Sequence, residues 1–210
     1  MSNDTQTVYI VDDDAAVRHS LALLLELKGY RTRSFASAEE FLGALDPASA
    51  GCAIVDLRMP GMGGARLQEE LGRRAPALPV IIATAHGDIA AARTTLKAGA
   101  VDFIEKPIDD EQLVSAIRAA LEREAELRGR QERAAEIGER LGRLTGRERQ
   151  VLKMVVAGRH NREIAAELDI SPRTVEVYKA RMMEKLHVRR LPDLVRLVLD
   201  ASENGAAAAG

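Results

Sequence analysis

Five short apolar runs, separated by amphipathic stretches, fill the first 121 residues and limit the folds open to this part of the chain. The runs are Val8–Val11, Tyr30–Phe35, Cys52–Val55, Val80–Ala83 and Val101–Ile104. Short apolar runs rich in β-branched residues are typical of strands that are buried on both faces of a parallel sheet. The intervening stretches have helical periodicity. The alternation of strand and helix therefore predicts a doubly wound α/β domain with a five-stranded parallel sheet.

The helical stretches of this domain have recognisable limits. Val17, Leu21 and Leu24 lie on one stripe of the first helix, which we expect to end at Gly29. A second helix follows the next run. The third and fourth are predicted over 65–74 and 88–98, and the fifth begins near Asp109.

The remainder of the chain has no strand-like run. Residues 122–143 carry six basic and six acidic side chains and predict a helical linker that continues the fifth helix. Its glycines and poor heptad register argue against a coiled coil. Residues 144–200 predict a small all-α domain, and residues 201–210 a disordered tail. The four predicted helices of this domain span 146–157, 161–168, 172–186 and 191–200.

Charge is divided unevenly between the two predicted domains. Residues 1–121 carry 12 basic and 17 acidic side chains, whereas residues 144–199 carry 12 basic and 7 acidic ones. The basic second half is compatible with a nucleic-acid partner. No apolar run reaches the roughly 18 residues that a membrane span needs. Cys52 is the only cysteine and the first residues do not form a signal peptide, so we expect a cytoplasmic protein.

Polar side chains follow four of the predicted strands, where parallel sheets collect functional groups. The first strand is followed by Asp12, Asp13 and Asp14, the third by Asp56, the fourth by Thr84 and the fifth by Lys106. Clustered carboxylates favour a hard divalent cation, and Mg²⁺ suits oxygen ligands best. A carboxylate in such a pocket can accept a phosphoryl group, while the lysine neutralises charge on the transferred oxygens.

The motifs VYIVDDD, IVDLRMPGMGG, IIATAHGD and AGAVDFIEKP resemble the receiver domain of response regulators, over residues 7–121. The resemblance implies a CheY-like fold with strand order 2-1-3-4-5 and phosphorylation of Asp56 by a sensor histidine kinase. It also implies Mg²⁺ binding by Asp13, Asp56 and the backbone carbonyl of Arg58, with Asp12 contributing through water. Thr84 and Lys106 would contact the phosphoryl oxygens. Phe103 would be the aromatic residue whose side chain responds to Thr84.

A helix-turn-helix pattern lies within the all-α domain. We expect Asn161 to cap a short helix and Ser171 to cap the next one, with Pro172 in its first turn. Val175, Met182 and Leu186 would face inward. The second helix would carry a basic outer face suited to the major groove. A solvated face in a small helical bundle is the alternative that this pattern leaves open.

The motifs LTGRERQVL, AGRHNREIAAELDIS and TVEVYKARMMEKL resemble the LuxR/NarL-type DNA-binding domain, over residues 144–200. Together with the receiver, SPRTVEV resembles FixJ-type regulators. By this resemblance Glu176, Val177 and Ala180 would face bases, while Arg173, Thr174, Lys179 and Arg181 would lie nearer phosphates. Glu176 could accept a hydrogen bond from a cytosine amino group or pair with Arg173, and both interpretations stay open.

These features predict a transcription factor that phosphorylation converts to a DNA-binding dimer, with the sensor kinase and promoter DNA as partners and no enzymatic role. Two other functional classes remain to be separated from it. In one, the helical domain binds a protein instead of DNA. In the other, Asp56 serves a metal-dependent phosphohydrolase, although the sequence has no recognisable substrate domain.

Overall fold

The first part of the chain is built on one sheet. The computed structural model of the protein describes residues 7–46, 49–75, 77–85, 94–97 and 99–207, with side chains as far as residue 199. All pairs of neighbouring strands are parallel, in the order β2-β1-β3-β4-β5. Each strand begins and ends within one residue of its predicted limits, so the predicted fold is confirmed. The strands are β1 (Thr7–Val11), β2 (Arg31–Phe35), β3 (Gly51–Asp56), β4 (Val80–Thr84) and β5 (Asp102–Glu105).

Helices follow these strands along the chain. They are α1 (Ala15–Leu27), α2 (Ala38–Ala44), α3 (Gly64–Arg74) and α4 (Asp110–Gly142). Gly29 follows α1 with a φ of 86°, a backbone conformation that glycine adopts readily. Residues 94–97 are helical, as expected from the helix predicted over 88–98. The rest of that prediction falls on residues 88–93 and 98, which lie outside the described part of the chain.

The sheet separates two apolar cores. Alternate residues of β3 point to opposite faces, with Ala53 and Val55 in one core and Cys52 and Ile54 in the other. Phe41 and Leu67 bring α2 and α3 to the first face, whereas Leu25 and Leu113 bring α1 and α4 to the second. Burial, with a smaller effect from the charge of Glu124, raises the pKa of the Cys52 thiol to about 12. Cys52 is therefore a packing residue.

The contacts of the chain divide it into two units, residues 1–128 and 129–210. The boundary lies inside α4, which includes nearly all of the predicted helical linker. Among the described residues, no helix is both long and apolar enough to cross a membrane. The domain limits predicted at 121 and 143 remain predictions.

Helices are the only regular secondary structure in the described residues of the second unit. After the end of α4 it contains α5 (Gly146–Val156), α6 (Asn161–Leu168), α7 (Pro172–Lys185) and α8 (Leu191–Ala207). Its core includes Val151, Ile164, Val175, Met182 and Leu186. The backbone of α8 continues to Ala207, whereas the sequence predicts a disordered tail from residue 201. Alanine and glutamate in this segment are good helix formers, which accounts for the difference. Residues 208–210 lie outside the described range.

Candidate functional site

Side chains from three strand ends meet at the carboxyl edge of the sheet. Asp12 follows β1, Asp56 ends β3, and Lys106 follows β5. The Lys106 ammonium donates hydrogen bonds to Asp12 Oδ2 and to Asp56 Oδ1, both over 2.7 Å. Asp12 is 2% exposed and Asp56 is 7% exposed. Two buried carboxylates therefore share one cation, as the strand-end pattern predicts.

Burial and charge act against each other on these groups. Burial raises the pKa of Asp56, the hydrogen bond and charge of Lys106 lower it, and the neighbouring charge of Asp12 raises it; the net effect is a raised pKa. Burial lowers the pKa of Lys106, but its hydrogen bonds to the two carboxylates outweigh this effect and raise the pKa. Lys106 is thus held in its charged form beside Asp56.

The loop after β1 is fixed from two sides. The backbone N–H of Asp14 donates to Asp12 Oδ1 over 2.9 Å, and the guanidinium of Arg18 donates to the backbone carbonyl of Asp12 over 2.7 Å. Asp14 also caps α1 by accepting from the N–H of Ala16. Sequence reasoning missed Arg18. The only sequence signal for this contact was a basic side chain six residues after Asp12, one turn into α1.

The loop after β3 closes tightly around Asp56. The backbone N–H of Arg58 donates to Asp56 Oδ2 over 3.1 Å. A Cβ atom at Gly64 would lie 2.4 Å from the carbonyl oxygen of Asp56, which is too close for any side chain. Glycine at this position therefore lets α3 begin directly against the end of β3.

Thr84 and Phe103, the two predicted switch residues, take no part in the ion pairs of this pocket. Thr84 is 2% exposed, and its hydroxyl donates to the carbonyl of Ala85 over 3.3 Å. The backbone N–H of Lys106 donates to the carbonyl of Thr84, which joins the ends of β4 and β5. Phe103 is half-buried and packs against the core that contains Phe41. Their response to phosphorylation stays a prediction.

Only some of the predicted metal ligands lie close together. Asp13 is exposed, while Asp12 and Asp56 bind Lys106. Across the described residues, no three histidine, cysteine, aspartate or glutamate side chains converge as a metal site. The ammonium of Lys106 supplies positive charge where the two carboxylates meet. The donor set still fits Mg²⁺, because it offers carboxylate oxygens to a hard cation that keeps several of its waters.

The second candidate site is the outer face of α7. Ser171 caps this helix by accepting from the N–H of Thr174 over 3.1 Å, and Pro172 occupies its first turn. Asp169 follows α6 as its C-cap with a φ of 52°, and only residues 169–171 separate the two helices. Val175 and Met182 are buried beneath α7. The predicted turn and the cap at Ser171 are confirmed.

The predicted DNA-contacting residues fall into two groups. The exposed group consists of Arg173, Glu176, Val177, Ala180 and Arg181. Thr174 and Lys179 are half-buried and make local contacts: the Thr174 hydroxyl lies 2.8 Å from that of Ser171, and the Lys179 ammonium donates to Asn161 Oδ1 over 3.2 Å. No ion pair joins the described side chains of Glu176 and Arg173, so Glu176 is not occupied by that partner.

Asn161 has a different role from the predicted one. The residue that caps α6 is His160, whose backbone N–H donates to the side chain of Glu163 over 2.7 Å. The prediction that Asn161 is the cap was wrong, because the helix begins at that residue and its side chain accepts from Lys179 instead. Asn161 therefore contacts α7 through Lys179, which sequence reasoning did not find.

A partly buried ion pair joins α5 to the C-terminal end of α7. Lys185 donates to Glu148 Oε2 over 2.7 Å, and Glu148 also accepts from the backbone N–H of Thr145. Burial acts to raise the pKa of Glu148, but these hydrogen bonds together outweigh it and lower the pKa. The pair is 37 residues apart in sequence and no local motif indicates it.

Comparison with known families matches both units. Residues 8–118 match the response regulator receiver domain, and residues 143–198 match the bacterial regulatory proteins of the luxR family. The transcriptional regulatory protein FixJ of Azorhizobium caulinodans is 49% identical over 193 residues, which cover 91% of each chain.

Solved structures agree with this assignment. The response regulator StyR superimposes with a TM-score of 0.79 and 41% identity, covering 92% of this chain and 98% of its own. Full-length FixJ from B. japonicum gives a TM-score of 0.58 and 41% identity, covering 94% of this chain and 98% of its own. The chain therefore belongs to the two-component response regulators, as a transcription factor that combines a receiver domain with a LuxR-type DNA-binding domain.

Proposed function

We propose that Asp56 accepts a phosphoryl group from the phosphohistidine of a sensor kinase and that this modification controls promoter binding through the outer face of α7. The observation that carries the proposal is the bridge that Lys106 forms between Asp12 and Asp56. It places a nucleophilic carboxylate beside a fixed positive charge at the carboxyl edge of a receiver sheet.

The transfer forms an acyl phosphate. A carboxylate oxygen of Asp56 attacks phosphorus, the P–N bond to the kinase histidine breaks, and the nitrogen keeps the bonding electron pair. Lys106 lies within hydrogen-bond distance of the attacking carboxylate and neutralises charge on the transferred oxygens. The raised pKa of Asp56 means that the reaction needs a pH at which this carboxyl is ionised.

Receiver domains generally bind Mg²⁺ at the phosphorylation site. In this chain Asp12, Asp13, Asp56 and the backbone carbonyl of Arg58 would hold it. When bound, the ion supplies further positive charge for the phosphoryl oxygens. The hydrogen bond of Arg18 to the carbonyl of Asp12 keeps the β1–α1 loop in place for this role.

The switch begins with Thr84. In the present structure its hydroxyl donates to Ala85, and we infer that it turns to a phosphoryl oxygen once Asp56 is modified. Phe103 then rotates inward into the space that Thr84 leaves. Its half-buried side chain already packs against the core that contains Phe41. The surface formed around 94–97, β5 and the start of α4 changes with it and favours a dimer. Two copies bring two recognition helices to two half-sites.

The side chains on the outer face of α7 are suited either to base contacts or to phosphate contacts. Val177 and Ala180 are small enough to approach bases, and Val177 is 43% exposed in the free protein. Glu176, which has no pairing with Arg173, can accept from a cytosine amino group. Arg173, Arg181, Lys179 and Thr174 lie where phosphate contacts are needed, and these give affinity that depends on salt. Action on promoter DNA in a bacterium places the protein in the cytoplasm.

Phosphoryl transfer can be tested with a small donor. Acetyl phosphate and Mg²⁺ should add one hydroxylamine-labile phosphoryl group to the wild-type chain and none to Asp56→Asn. Asp110→Asn, which alters an exposed carboxylate at the start of α4, is the matched control and should be labelled like wild type. Equal labelling of Asp56→Asn would show that another residue is the acceptor.

A further inference from the structure

A groove in the second unit is not used by the proposed DNA contacts. It lies among the C-terminal end of α4, α5 and α8, and no residue of α7 lines it. Its volume is about 540 Å³. Pockets of this size commonly hold small organic ligands.

The walls of the groove are apolar. Leu141, Leu152, Val156 and Val198 contribute side chains from three helices. Gly138 and Gly142, one helical turn apart on α4, line the floor of the groove without side chains. A Cβ atom at Gly138 would meet nothing within 4 Å, so the space above this glycine is unfilled.

Two basic side chains also line the groove. Arg149 and Lys153 are one turn apart on α5, and both are exposed. Arg149 donates to the backbone carbonyl of Leu144, and neither residue forms an ion pair with a described carboxylate. Like charges at this spacing repel each other. An anion at this position would relieve the repulsion.

The nearest acidic side chains on α4 are already engaged. Glu139 pairs with Arg143 at 2.6 Å, and Glu136 pairs with Arg140. The positive charge at the groove is therefore not neutralised by the helix that forms its floor. The ligand that matches the site has an apolar body and one negative charge.

We propose that this groove binds an amphipathic monocarboxylate, such as a medium-chain fatty acid. Its chain lies along Leu141, Leu152 and Val198, and its carboxylate lies between Arg149 and Lys153. The site is independent of Asp56 and of the DNA-contacting face. It gives the DNA-binding unit a chemical input of its own.

Decanoate is a suitable probe. Titrated into the full-length protein below its micellar concentration and followed by calorimetry, it should bind saturably with one molecule per chain. Decanol, which lacks the charge, and decyltrimethylammonium, which reverses it, should bind at least about tenfold more weakly.

Substitutions at the floor and rim complete the test. Gly138→Leu fills the groove where there is room and improves helix propensity, so the chain should fold while decanoate affinity falls at least about tenfold. Gly129→Leu, on the same helix outside the groove, is its control. Arg149→Gln and Lys153→Gln should each weaken binding about threefold or more, whereas Arg147→Gln should not.

Two results would overturn the proposal. One is unchanged decanoate binding by Gly138→Leu with a native circular dichroism spectrum. The other is self-association of the wild-type chain that Gly138→Leu abolishes while decanoate does not bind to either protein. The second result would assign the groove to a contact between copies of the chain.

Discussion

The pocket around Asp56 and the outer face of α7 differ in how far their charged side chains are already paired within the protein. In the pocket, Lys106 satisfies two buried carboxylates with hydrogen bonds of 2.7 Å. On α7, Arg173, Glu176 and Arg181 are exposed. A site for a small reacting group is assembled by internal contacts, whereas a surface for a long polymer leaves its charges available until the partner arrives.

The largest effect is expected in the pocket. Lys106→Met removes the cation that two carboxylates share, so phosphorylation of Asp56 by acetyl phosphate should slow about 100-fold. The pKa of Asp56 should also rise further, because the two effects of Lys106 that lower it are lost. Rates of acyl phosphate formation would measure the first effect. Lys28→Met, at an exposed position, should react like wild type, and an equally fast Lys106→Met would contradict the assigned role.

The ion pair between Glu148 and Lys185 sharpens the comparison, because the DNA-binding unit also contains charged side chains that are paired within the protein. Glu148→Gln should lower the free energy of unfolding of this unit by about 1–3 kcal/mol at neutral pH. Urea unfolding would measure the change. Glu184→Gln, on the exposed side of α7, should have almost no effect.

The pH dependence of this stability has a definite sign. The pKa of Glu148 is lowered in the folded protein, so its contribution is fully present above the unfolded pKa of about 4.3. The contribution is lost as the pH falls through the folded pKa. The difference between wild type and Glu148→Gln should therefore disappear in acid. A difference that grows on acidification would contradict the account.

Substitution of an exposed residue on α7 should alter selectivity more than stability. Glu176→Ala should reduce discrimination at one base pair by about 1–3 kcal/mol, because a cytosine amino group loses its acceptor. Binding to a library of operator variants would measure this loss. Uniform weakening at every base pair would show that Glu176 makes no base contact.

Lys179→Ala should act in a different way. Loss of a phosphate contact should weaken binding to all sequences and reduce the slope of log affinity against log salt by about one. Anisotropy titrations at several salt concentrations would report the slope. An unchanged slope would remove Lys179 from the phosphate contacts.

Asn161→Ala should give the smallest effect. The side chain only positions Lys179, so affinity should fall about two- to threefold while the salt slope stays unchanged. A slope as low as that of Lys179→Ala would mean that Asn161 does more than position the lysine.

The strand-end residues could be predicted because each depends on a local pattern. A buried strand places its last residue at the sheet edge, so Asp12, Asp56 and Lys106 were found from the runs that precede them. Arg18 is different, since its hydrogen bond to the carbonyl of Asp12 depends on how α1 leaves the loop. A spacing pattern does not encode that direction.

The same limit applies to the second unit. The turn before α7 has local signals at Ser171 and Pro172, and it was predicted correctly. The contacts of Lys179 with Asn161 and of Lys185 with Glu148 join helices across 18 and 37 residues. These contacts depend on how the helices pack. The apolar pattern shows which faces of the helices point inward, but it does not show which polar side chains pair.

The central claim is that the chemical state of Asp56 sets the affinity for DNA. The most direct measurement is anisotropy with a duplex selected from random sequence by the phosphorylated protein, with and without acetyl phosphate. Wild type should gain at least about tenfold in affinity on phosphorylation, while Asp56→Asn should gain nothing. An equal gain for Asp56→Asn, or no gain for a fully phosphorylated wild type, would contradict the account.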